Sequence, residues 1–459
     1  MLYYPGMSGN RSLSITFVAG ARSVTGAQFL VEAVEDDRTT KVLVDCGLTQ
    51  GSAWCDPTNA NPFPYQPGSV NALFVTHAHT DHIGLIPKVV KEGFAGKIYT
   101  TAETAALMPI MLEDTAHLLA LEAKRCNETP LYEENDLAQT FRLIERLAYK
   151  KPLELAPGIT ATLYNAGHIL GSATVLLDVW GTRVLFTGDL GRTPAVLVPD
   201  RDAPEGPIHY LVTESVYGNQ AHEDYQVSKQ TLLQETERTL KNGGVLLIPS
   251  FSLERTQIIL AALDTFVREK LIHGTSVLLD SPLAEKVTEV YRAHPSGLRD
   301  TVREQLERGD DPFNFPGLAT SKAADPSIII AGAGMSHGGR IRRHEAHYLP
   351  LPNATLLLVG YQVPGSLGRR LQDGARSVTI DGKKVKVRAR VVKTSGFSAH
   401  ADRDELLAYA EAVKPQEAFV VLGEMDAATF LAQRLSGFLG IPTTIPQKGE
   451  KINLNLIDI

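Results

Sequence analysis

The chain has 459 residues, 43% of them hydrophobic and 21% charged, and a net charge of −7. This length and composition are typical of a globular protein with two or three domains. The acidic balance argues against indiscriminate binding to polyanions but is compatible with a local basic groove. The first residues lack an apolar secretion signal, and no apolar run is long enough to span a membrane. Cys46, Cys55 and Cys126 have no CxxC spacing, which argues against a disulfide framework and favours a reducing cytoplasm.

The chain begins with short apolar runs that predict strands at 14–18, 28–34 and 41–44. The third run is followed by Asp45. A carboxylate at that position is either a turn former or a hydrogen-bond partner that orients a ligating histidine.

The next strand, predicted at 72–75, leads into four potential metal ligands, His77, His79, Asp81 and His82, and a helix is predicted from Ile83 onward. Side chains alternate in extended backbone, so His77 and His79 can share one ion, while Asp81 and His82 can face a second. Imidazole and carboxylate ligands suit zinc. The alternative is a polar helix start with exposed histidines, but three of only 13 histidines in one turn favours the metal site.

Two further candidates stand at strand ends, after predicted helices at 102–125 and 133–147. His168 follows a predicted strand at 159–164, and Asp189 ends the run that starts at Val184. Singly, they could be a structural histidine and a turn residue. Together they predict a dinuclear site in which Asp189 bridges two ions ~3.5–4 Å apart.

From about residue 210 the pattern changes to alternating strands and helices, which predicts βαβ units and a mainly parallel sheet. The predicted strands are 245–248, 276–279, 327–331 and 355–359, and the helices are 228–240, 253–268, 283–293 and 341–348. A hairpin is predicted from 379–381 and 384–391, joined near Asp381-Gly382.

A glycine-rich segment at 331–340 follows one of these strands and opens a helix. Small residues there allow backbone N–H groups to approach a phosphate at the helix N-terminus, although an ordinary glycine-rich turn has the same composition. Arg340, Arg342 and Arg343 follow, which favours the anion site.

Residues 365–395 carry nine Lys or Arg, among them Arg369 and Arg370, against Asp373 and Asp381. In an acidic protein this local excess indicates either a track for a polyanion backbone or a solvated hairpin face. The chain then has a predicted helix at 403–413, a strand at 418–422, a helix at 426–438 and a terminal β pair.

The motifs HAHTDH, AGHILGSA and FTGDLG, in this order, resemble the metallo-β-lactamase fold. TESVYG, IPSFSLERTQ, DSPLA, AGAGM…GGR, VGYQVPGSLGR and GFSAHAD extend the resemblance to β-CASP nucleases over nearly the whole chain. The last two are similar to the RNA-cutting branch. The resemblance implies an α/β fold, with an αββα sandwich at 12–208 and 393–459 and an inserted parallel-sheet β-CASP domain at 209–392.

The resemblance also implies a role for each of the site residues. His77, His79 and His168 would hold one zinc, Asp81 and His82 a second, and Asp189 would bridge, with Asp81 also counted as catalytic. His400 would protonate the leaving 3′ oxygen while Glu214 orients His400. The expected substrate contacts are Gly334, Gly338, Gly339, Arg340, Tyr361, Arg369, Arg370 and Ser398.

One position departs from the family pattern. Where RNA enzymes read Val-His-Gly-Glu, this chain has Val421-Leu422-Gly423-Glu424, so Leu422 replaces the last expected ligand and the second zinc should be weakly held. DNA-type members commonly have valine there.

We therefore expect a two-zinc phosphodiesterase that cuts single-stranded RNA in RNA processing or decay. The alternatives are a DNA nuclease, a non-catalytic RNA-binding paralogue and a small-molecule metallohydrolase. Endo- or exonucleolytic mode and homodimer formation are left open.

Overall fold

The computed structural model describes residues 10–50, 55–320, 325–363 and 365–457. The N-terminal stretch in which we expect no secretion signal lies mostly outside this range. The chain divides into two compact units. Unit 1 comprises 1–195, 200–221 and 400–459, and unit 2 comprises 196–199 and 222–399. The boundaries expected from sequence, 209 and 393, stay a prediction for the evolutionary domains.

The described strands are, in chain order, β1 (Arg11–Ala19), β2 (Gln28–Glu35), β3 (Arg38–Val44), β4 (Ala72–Phe74), β5 (Lys97–Thr100), β6 (Ile144–Arg146), β7 (Leu153–Ala156), β8 (Ile159–Asn165), β9 (Ala173–Val179), β10 (Thr182–Phe186), β11 (Tyr210–Thr213), β12 (Leu246–Pro249), β13 (Val277–Asp280), β14 (Leu318–Ala319), β15 (Ile328–Ala331), β16 (Thr355–Leu358), β17 (Ser377–Ile380), β18 (Lys383–Lys386), β19 (Arg390–Lys393), β20 (Glu417–Val420), β21 (Thr443–Thr444) and β22 (Glu450–Leu454). The described α-helices are α1 (Thr80–Ile83), α2 (Ile86–Lys91), α3 (Ala102–Cys126), α4 (Glu134–Leu143), α5 (Tyr225–Lys241), α6 (Arg255–Arg268), α7 (Pro282–Ala293), α8 (Asp300–Glu307), α9 (Ile341–Tyr348), α10 (Leu367–Gln372), α11 (Arg403–Val413) and α12 (Met425–Phe438).

Unit 1 contains two sheets, ordered β22-β1-β2-β3-β4-β5-β6 and β21-β20-β11-β10-β9-β8-β7. Apolar side chains from both sheets form one core cluster. Phe17 of β1 contacts Phe419 of β20 with ring centroids 5.4 Å apart, and Phe29 of β2 stacks on Phe186 of β10 at 6.0 Å. The outer face of the second sheet packs against α11 and α12 through a separate cluster. Helices on a sheet sandwich give the αββα arrangement expected from the motifs.

Unit 2 contains a parallel sheet ordered β14-β13-β15-β12-β16-β19, with β17 and β18 as a separate antiparallel pair. The four central strands are short and buried over their whole length, as expected for a sheet covered by helices on both faces. The edge strands β14 and β19 are partly exposed. Helices α5 to α10 alternate with these strands, so the βαβ interpretation is confirmed.

Several local predictions were wrong, each because tertiary packing overrode a local pattern. The helix expected from Ile83 is broken after Gly84, where Leu85 N–H donates to Cys46 O instead (2.8 Å). The helix expected at 133–147 ends at Leu143, and residues 144–146 join the first sheet as β6 beside β5. The terminal β pair is not a pair, since β21 lies beside β20 and β22 lies beside β1.

The expectation that the cysteines form no disulfide is also wrong. Cys55 and Cys126 are joined; their Cα atoms are 5.7 Å apart, and their sequence separation is 71. The bond ties the segment after β3 to the end of α3, where Cys55 N–H also donates to Glu122 Oε1 (3.1 Å). Cys46 is buried and free. Among the described helices, none has both the length and the apolar character needed to cross a bilayer.

Candidate active site

The site is built from loops that follow strands of unit 1. His77, His79, Asp81 and His82 lie between β4 and the end of α1, and His168 lies between β8 and β9. Asp189 follows β10, and Glu214 follows β11. His400 lies just before α11, and its backbone forms an isolated bridge with Gly191. Segments far apart in sequence thus converge at one edge of the sandwich.

Two glycines allow these loops to approach closely. A Cβ on Gly47 would lie 1.5 Å from Asp81 O, so only glycine lets the loop after β3 pass against the ligand turn. A Cβ on Gly191 would lie 1.7 Å from Gly167 O, where the Asp189 loop crosses the His168 loop. Gly191 belongs to the FTGDLG motif, and Gly47 follows Asp45 by two residues. Close backbone approach is the physical reason for glycine at both positions.

One group of donors surrounds a common point. His77 Nε2 lies 2.9 Å from His79 Nδ1, and His168 Nε2 lies 3.3 Å from the same atom. Asp189 Oδ2 lies 3.4 Å from His77 Nε2 and 3.6 Å from His168 Nε2. Donors on a tetrahedral zinc, at bond lengths of about 2.0–2.1 Å, are separated by roughly 3.3 Å. The three imidazoles and the carboxylate therefore fit one zinc ion.

The protonation states suit ligation. Burial lowers the pKa values of His79 and His168 well below the usual range, and neighbouring histidines lower them further. Burial alone would raise the pKa of Asp189, but His82 and His77 outweigh it and hold that pKa well below its usual value. Neutral imidazoles and an ionised carboxylate are the forms that bind a cation.

Asp45 orients His82. Its Oδ2 lies 2.8 Å from His82 Nδ1, while its Oδ1 accepts from Thr76 N–H (2.8 Å). This contact points His82 Nε2 into the site, 3.3 Å from Asp189 Oδ1, and that buried nitrogen has no hydrogen-bond partner among the described residues. Burial alone would lower the pKa of His82, but the carboxylates of Asp189 and Asp45 raise it well above its usual value. A cation that displaced the Nε2 proton would find there an imidazole nitrogen beside a carboxylate, which are suitable ligands.

A second group joins Asp189, Glu214 and His400, whose donor atoms lie within 4.8 Å of one another. His400 Nδ1 lies 3.5 Å from Glu214 Oε2 and 3.9 Å from Asp189 Oδ2. The other Glu214 oxygen accepts from Leu190 N–H at 2.6 Å, which anchors the carboxylate. Burial raises the pKa of Glu214, and His400 opposes that rise. Sequence reasoning had placed Glu214 and His400 in one mechanism, and the structure brings them together.

The ligation of a second ion is less complete. Among the described residues, Asp81 and His82 belong to neither close group of three or more donors. Asp81 is near enough to His82 and Asp189 for their charges to affect its pKa. Burial raises the pKa of Asp81, His82 opposes that rise, and the negative charge of Asp189 adds to it. Leu422 is buried in the apolar core, with a backbone φ of +49°.

Sequence reasoning missed Thr76. Its hydroxyl donates to Asp45 Oδ2 (2.8 Å) and lies 3.0 Å from His77 Nδ1, so it connects two ligand-orienting contacts. Its position directly before the first histidine was the available signal.

The expected substrate contacts fall in unit 2. Gln362 connects the glycine-rich loop to the segment after β16: its side-chain amide donates to Gly334 O (3.1 Å) and to Gly360 O (3.2 Å). Gly338, Gly339 and Tyr361 are at least partly exposed, whereas Gly334 and Ser398 are buried. The structure therefore presents the later part of the loop to solvent, but not Gly334 or Ser398.

The basic stretch is partly neutralised within unit 2. Arg369 pairs with Asp373 (3.0 Å), and Arg390 forms two hydrogen bonds to Glu235 (2.9 Å each). Besides the paired Arg390, Arg370 is exposed, as are six further cations, namely Arg376, Lys383, Lys384, Lys386, Arg388 and Lys393. The remaining exposed charge is therefore concentrated on α10 and the β17–β18 hairpin.

Three family models match the chain. The Metallo-beta-lactamase superfamily matches residues 25–242, the Beta-Casp domain 256–371 and the Zn-dependent metallo-hydrolase RNA specificity domain 384–446.

Several relatives are similar over most of the chain. Ribonuclease TTHA0252 of Thermus thermophilus is 35% identical over 84% of this chain and 88% of its own length. The RNase J-like protein of Methanocaldococcus jannaschii is 33% identical over 89% of this chain and 93% of its own length. Transcription termination factor FttA of Pyrococcus abyssi is 32% identical over 97% of this chain and 72% of its own length. A solved structure of a protein of unknown function from Enterococcus faecalis V583 shares the fold, with a TM-score of 0.56 at 14% identity over 96% of this chain and all of that one.

Proposed function

Because the chain belongs to the β-CASP branch of the metallo-β-lactamase superfamily, we propose that it is a zinc-dependent ribonuclease that hydrolyses phosphodiester bonds of single-stranded RNA. The observation that carries the proposal is the convergence of His77, His79, His168 and Asp189 on one point, with His400 and Glu214 beside them. The similarity to proteins named ribonucleases, and to an RNA specificity domain, supports RNA over DNA.

The donor set fits zinc, which when bound would lower the pKa of a water molecule and offset charge on the phosphate oxygens. His77, His79 and His168 would hold one ion, with Asp189 shared between it and a second. The second ion would rest on Asp81 and His82 and be the weaker of the two. Asp45 keeps the Nδ1 proton of His82 in place, so that Nε2 stays available as a ligand.

His400 would supply the proton to the leaving 3′ oxygen. Its Nδ1 faces Glu214, so the other ring nitrogen, Nε2, is the atom from which a proton could be delivered. Glu214 would stabilise the charged imidazole and hold its orientation, much as a buried carboxylate does for a catalytic histidine elsewhere. Glu214 can do so because Leu190 N–H fixes its position.

Unit 2 would hold the RNA strand. The glycine-rich loop and the exposed cations of α10 and the β17–β18 hairpin offer backbone N–H groups and positive charge to phosphates. Whether the active form is a homodimer is a separate question that molar-mass measurement in solution would answer.

The experiment that tests the proposal uses purified protein on matched single-stranded RNA and DNA, with and without a chelator. We expect RNA to be cut, DNA to be cut far more slowly, and the chelator to abolish cleavage. Asp189→Asn should abolish cleavage and lower the zinc content, while His117→Ala, an exposed histidine on α3, should change neither. Equal cleavage of DNA, or activity that survives the chelator, would contradict the proposal.

A further inference from the structure

A buried carboxylate in unit 2 organises part of the basic run that follows the glycine-rich loop. Asp280 ends β13, and its side chain is only 3% exposed. Its Oδ1 accepts from Arg340 (2.7 Å), and its Oδ2 accepts from Arg343 (2.9 Å). His344 Nε2 lies 2.7 Å from the same Oδ2. Three basic side chains thus share one aspartate.

Helix geometry explains which basic residues reach Asp280. Arg340 is the N-cap of α9, and residues three and four positions later lie on the same helix face. Those positions are Arg343 and His344. Arg342 points elsewhere: its guanidinium donates to His337 O (3.0 Å) and pairs with Asp381 (2.9 Å). The run of arginines is therefore divided between two surfaces.

The two arginines at Asp280 keep most of their donors available. Arg340 is 53% exposed and Arg343 74% exposed, and each guanidinium carries five N–H donors, of which one bonds to Asp280. Burial alone would raise the pKa of Asp280, but Arg340 and His344 outweigh it and lower that pKa. Asp280 orients the two guanidinium groups and leaves that trio with one net positive charge. Glu285 is a second carboxyl near Arg340; burial raises its pKa and Arg340 opposes the rise.

The pair lies where open α/β sheets commonly bind ligands. Asp280 is the register partner of Ala331, the last residue of β15, so the cluster lies outside the carboxyl ends of two adjacent parallel strands. Ligands of open α/β sheets bind at such ends. Ser281, directly after Asp280, caps α7 by accepting from Ala284 N–H (3.3 Å), and its hydroxyl lies 3.2 Å from that of Ser252.

We propose that Asp280 is a positioning residue that holds Arg340 and Arg343 as a clamp on a backbone phosphate of the RNA substrate. The proposal rests on the ribonuclease function proposed above. Guanidinium groups held in one orientation bind a phosphate with less loss of side-chain entropy than free ones. His344 contacts the same Oδ2 as Arg343 and is only 11% exposed, so the clamp does not require it to touch RNA.

The RNA affinity of Asp280→Asn distinguishes a clamp that Asp280 positions from a patch that acts through its charge alone. The change removes a negative charge, so a patch acting only through electrostatics would bind RNA more tightly. A clamp that loses its anchor binds more weakly, and we expect affinity to fall about tenfold, equivalent to the loss of one good hydrogen bond. Affinity is measured by fluorescence anisotropy with labelled single-stranded RNA, in a His400→Ala background so that the RNA stays intact. In the otherwise wild-type chain, KM should rise about tenfold while kcat stays within about twofold.

The matched control is Asp310→Asn, which removes the same charge from an exposed ion pair with Arg268 (3.0 Å) in the same unit. It should leave RNA affinity unchanged. Asp280→Glu retains the charge and should restore part of the binding, which a purely structural role would not require. Arg343→Ala should lower the slope of log affinity against log salt by ~0.7, the value for one phosphate contact on a single strand.

The outcomes are distinguishable. Wild-type or tighter binding by Asp280→Asn overturns the clamp. If that variant fails to fold, as judged by circular dichroism, Arg343→Ala decides, because its side chain is largely exposed; an unchanged affinity and salt slope would then overturn the clamp. Absence of RNA binding by the reference protein would instead overturn the proposed ribonuclease function.

Discussion

His400 has its Nδ1 facing Glu214 at 3.5 Å and its ring tilted against His168, with centroids 4.4 Å apart. We predict that His400→Ala lowers single-turnover RNA cleavage by roughly 10²–10⁴-fold, the usual cost of losing one proton-transfer group. Zinc content by elemental analysis and RNA affinity by anisotropy should be nearly unchanged, since His77, His79 and His168 remain. His117→Ala is the control. Wild-type cleavage by the variant would remove His400 from the mechanism.

Leu422 is the second residue that merits a test. It is 1% exposed, and its N–H donates to Gly20 O (2.8 Å) in a left-handed conformation. A leucine brings no ligand to a second zinc that would rest on Asp81, His82 and a share of Asp189, and it would desolvate a cation without compensation. We predict that the dialysed wild-type protein retains about one zinc per chain, and that added zinc or manganese raises its activity.

Leu422→His should raise the zinc content towards two and increase RNA cleavage. Histidine tolerates the left-handed conformation better than most residues, so the backbone need not change. Without metal the variant should be less stable than wild type, because it buries an imidazole in an apolar core, and zinc should restore that stability. Leu422→Gln is the control, since it removes leucine without adding an imidazole. Two zincs retained by the wild type, with no gain from histidine, would refute the argument.

At the scale of the element, α9 and the glycine-rich loop are joined through a buried carboxyl. Glu345 of α9 is fully buried; its Oε1 accepts from the Ser336 hydroxyl, and its Oε2 has no hydrogen-bond partner among the described residues. Burial raises the pKa of Glu345 to about 8, although Ser336 and Arg342 oppose the rise. Its carboxyl is therefore mostly protonated at neutral pH, beneath a loop proposed to meet phosphate.

The raised pKa predicts how stability depends on pH. Because the folded state holds a proton that the unfolded state has released, the free energy of unfolding should fall as pH rises from about 4.5 to about 8. Glutamine at this position cannot ionise. The free energy of unfolding of Glu345→Gln should therefore equal that of wild type near pH 5 and exceed it at pH 8 by several kcal/mol, since each unit of pKa shift corresponds to ~1.4 kcal/mol. Urea unfolding at both pH values measures this. Glu289→Gln, at an exposed site on α7, should show no such difference; a pH-independent effect of Glu345→Gln would contradict the assignment.

At the scale of the whole molecule, an acidic protein carries a concentrated basic surface on α10 and the β17–β18 hairpin. Binding of single-stranded RNA should weaken steeply with salt, because each phosphate contact adds ~0.7 to the log–log slope. Replacing Arg369 and Arg370 together by Ala should reduce that slope. Most of the change should come from Arg370, since Asp373 already neutralises Arg369.

The control for this prediction is the double change Lys124→Ala and Arg125→Ala, another adjacent basic pair, exposed on α3 in unit 1. It should leave the salt dependence unaltered. An unchanged slope in the Arg369 and Arg370 variant would place the RNA track on another surface.

Much of the site could be predicted because its information is local. His77, His79 and His82 lie within six residues, and the strand before them follows from apolar periodicity alone. The same local logic predicted α11 at 403–413 and α9 at 341–348 with the bounds that the structure has. The family, fold and metal chemistry were all recognisable from such segments and their order.

The remaining features depend on contacts between residues far apart in the chain. Cys55 meets Cys126 because a loop packs on the end of α3, and residues 144–146 become a strand because β5 offers an unpaired edge. Asp280 selects Arg340 and Arg343 but not Arg342, because only one face of α9 is turned towards β13. The sequence by itself determined most of the elements and the chemistry that they carry. Only the tertiary structure decided which charges meet, because partner choice depends on distances across the fold, and these are set by packing rather than by neighbours in the chain.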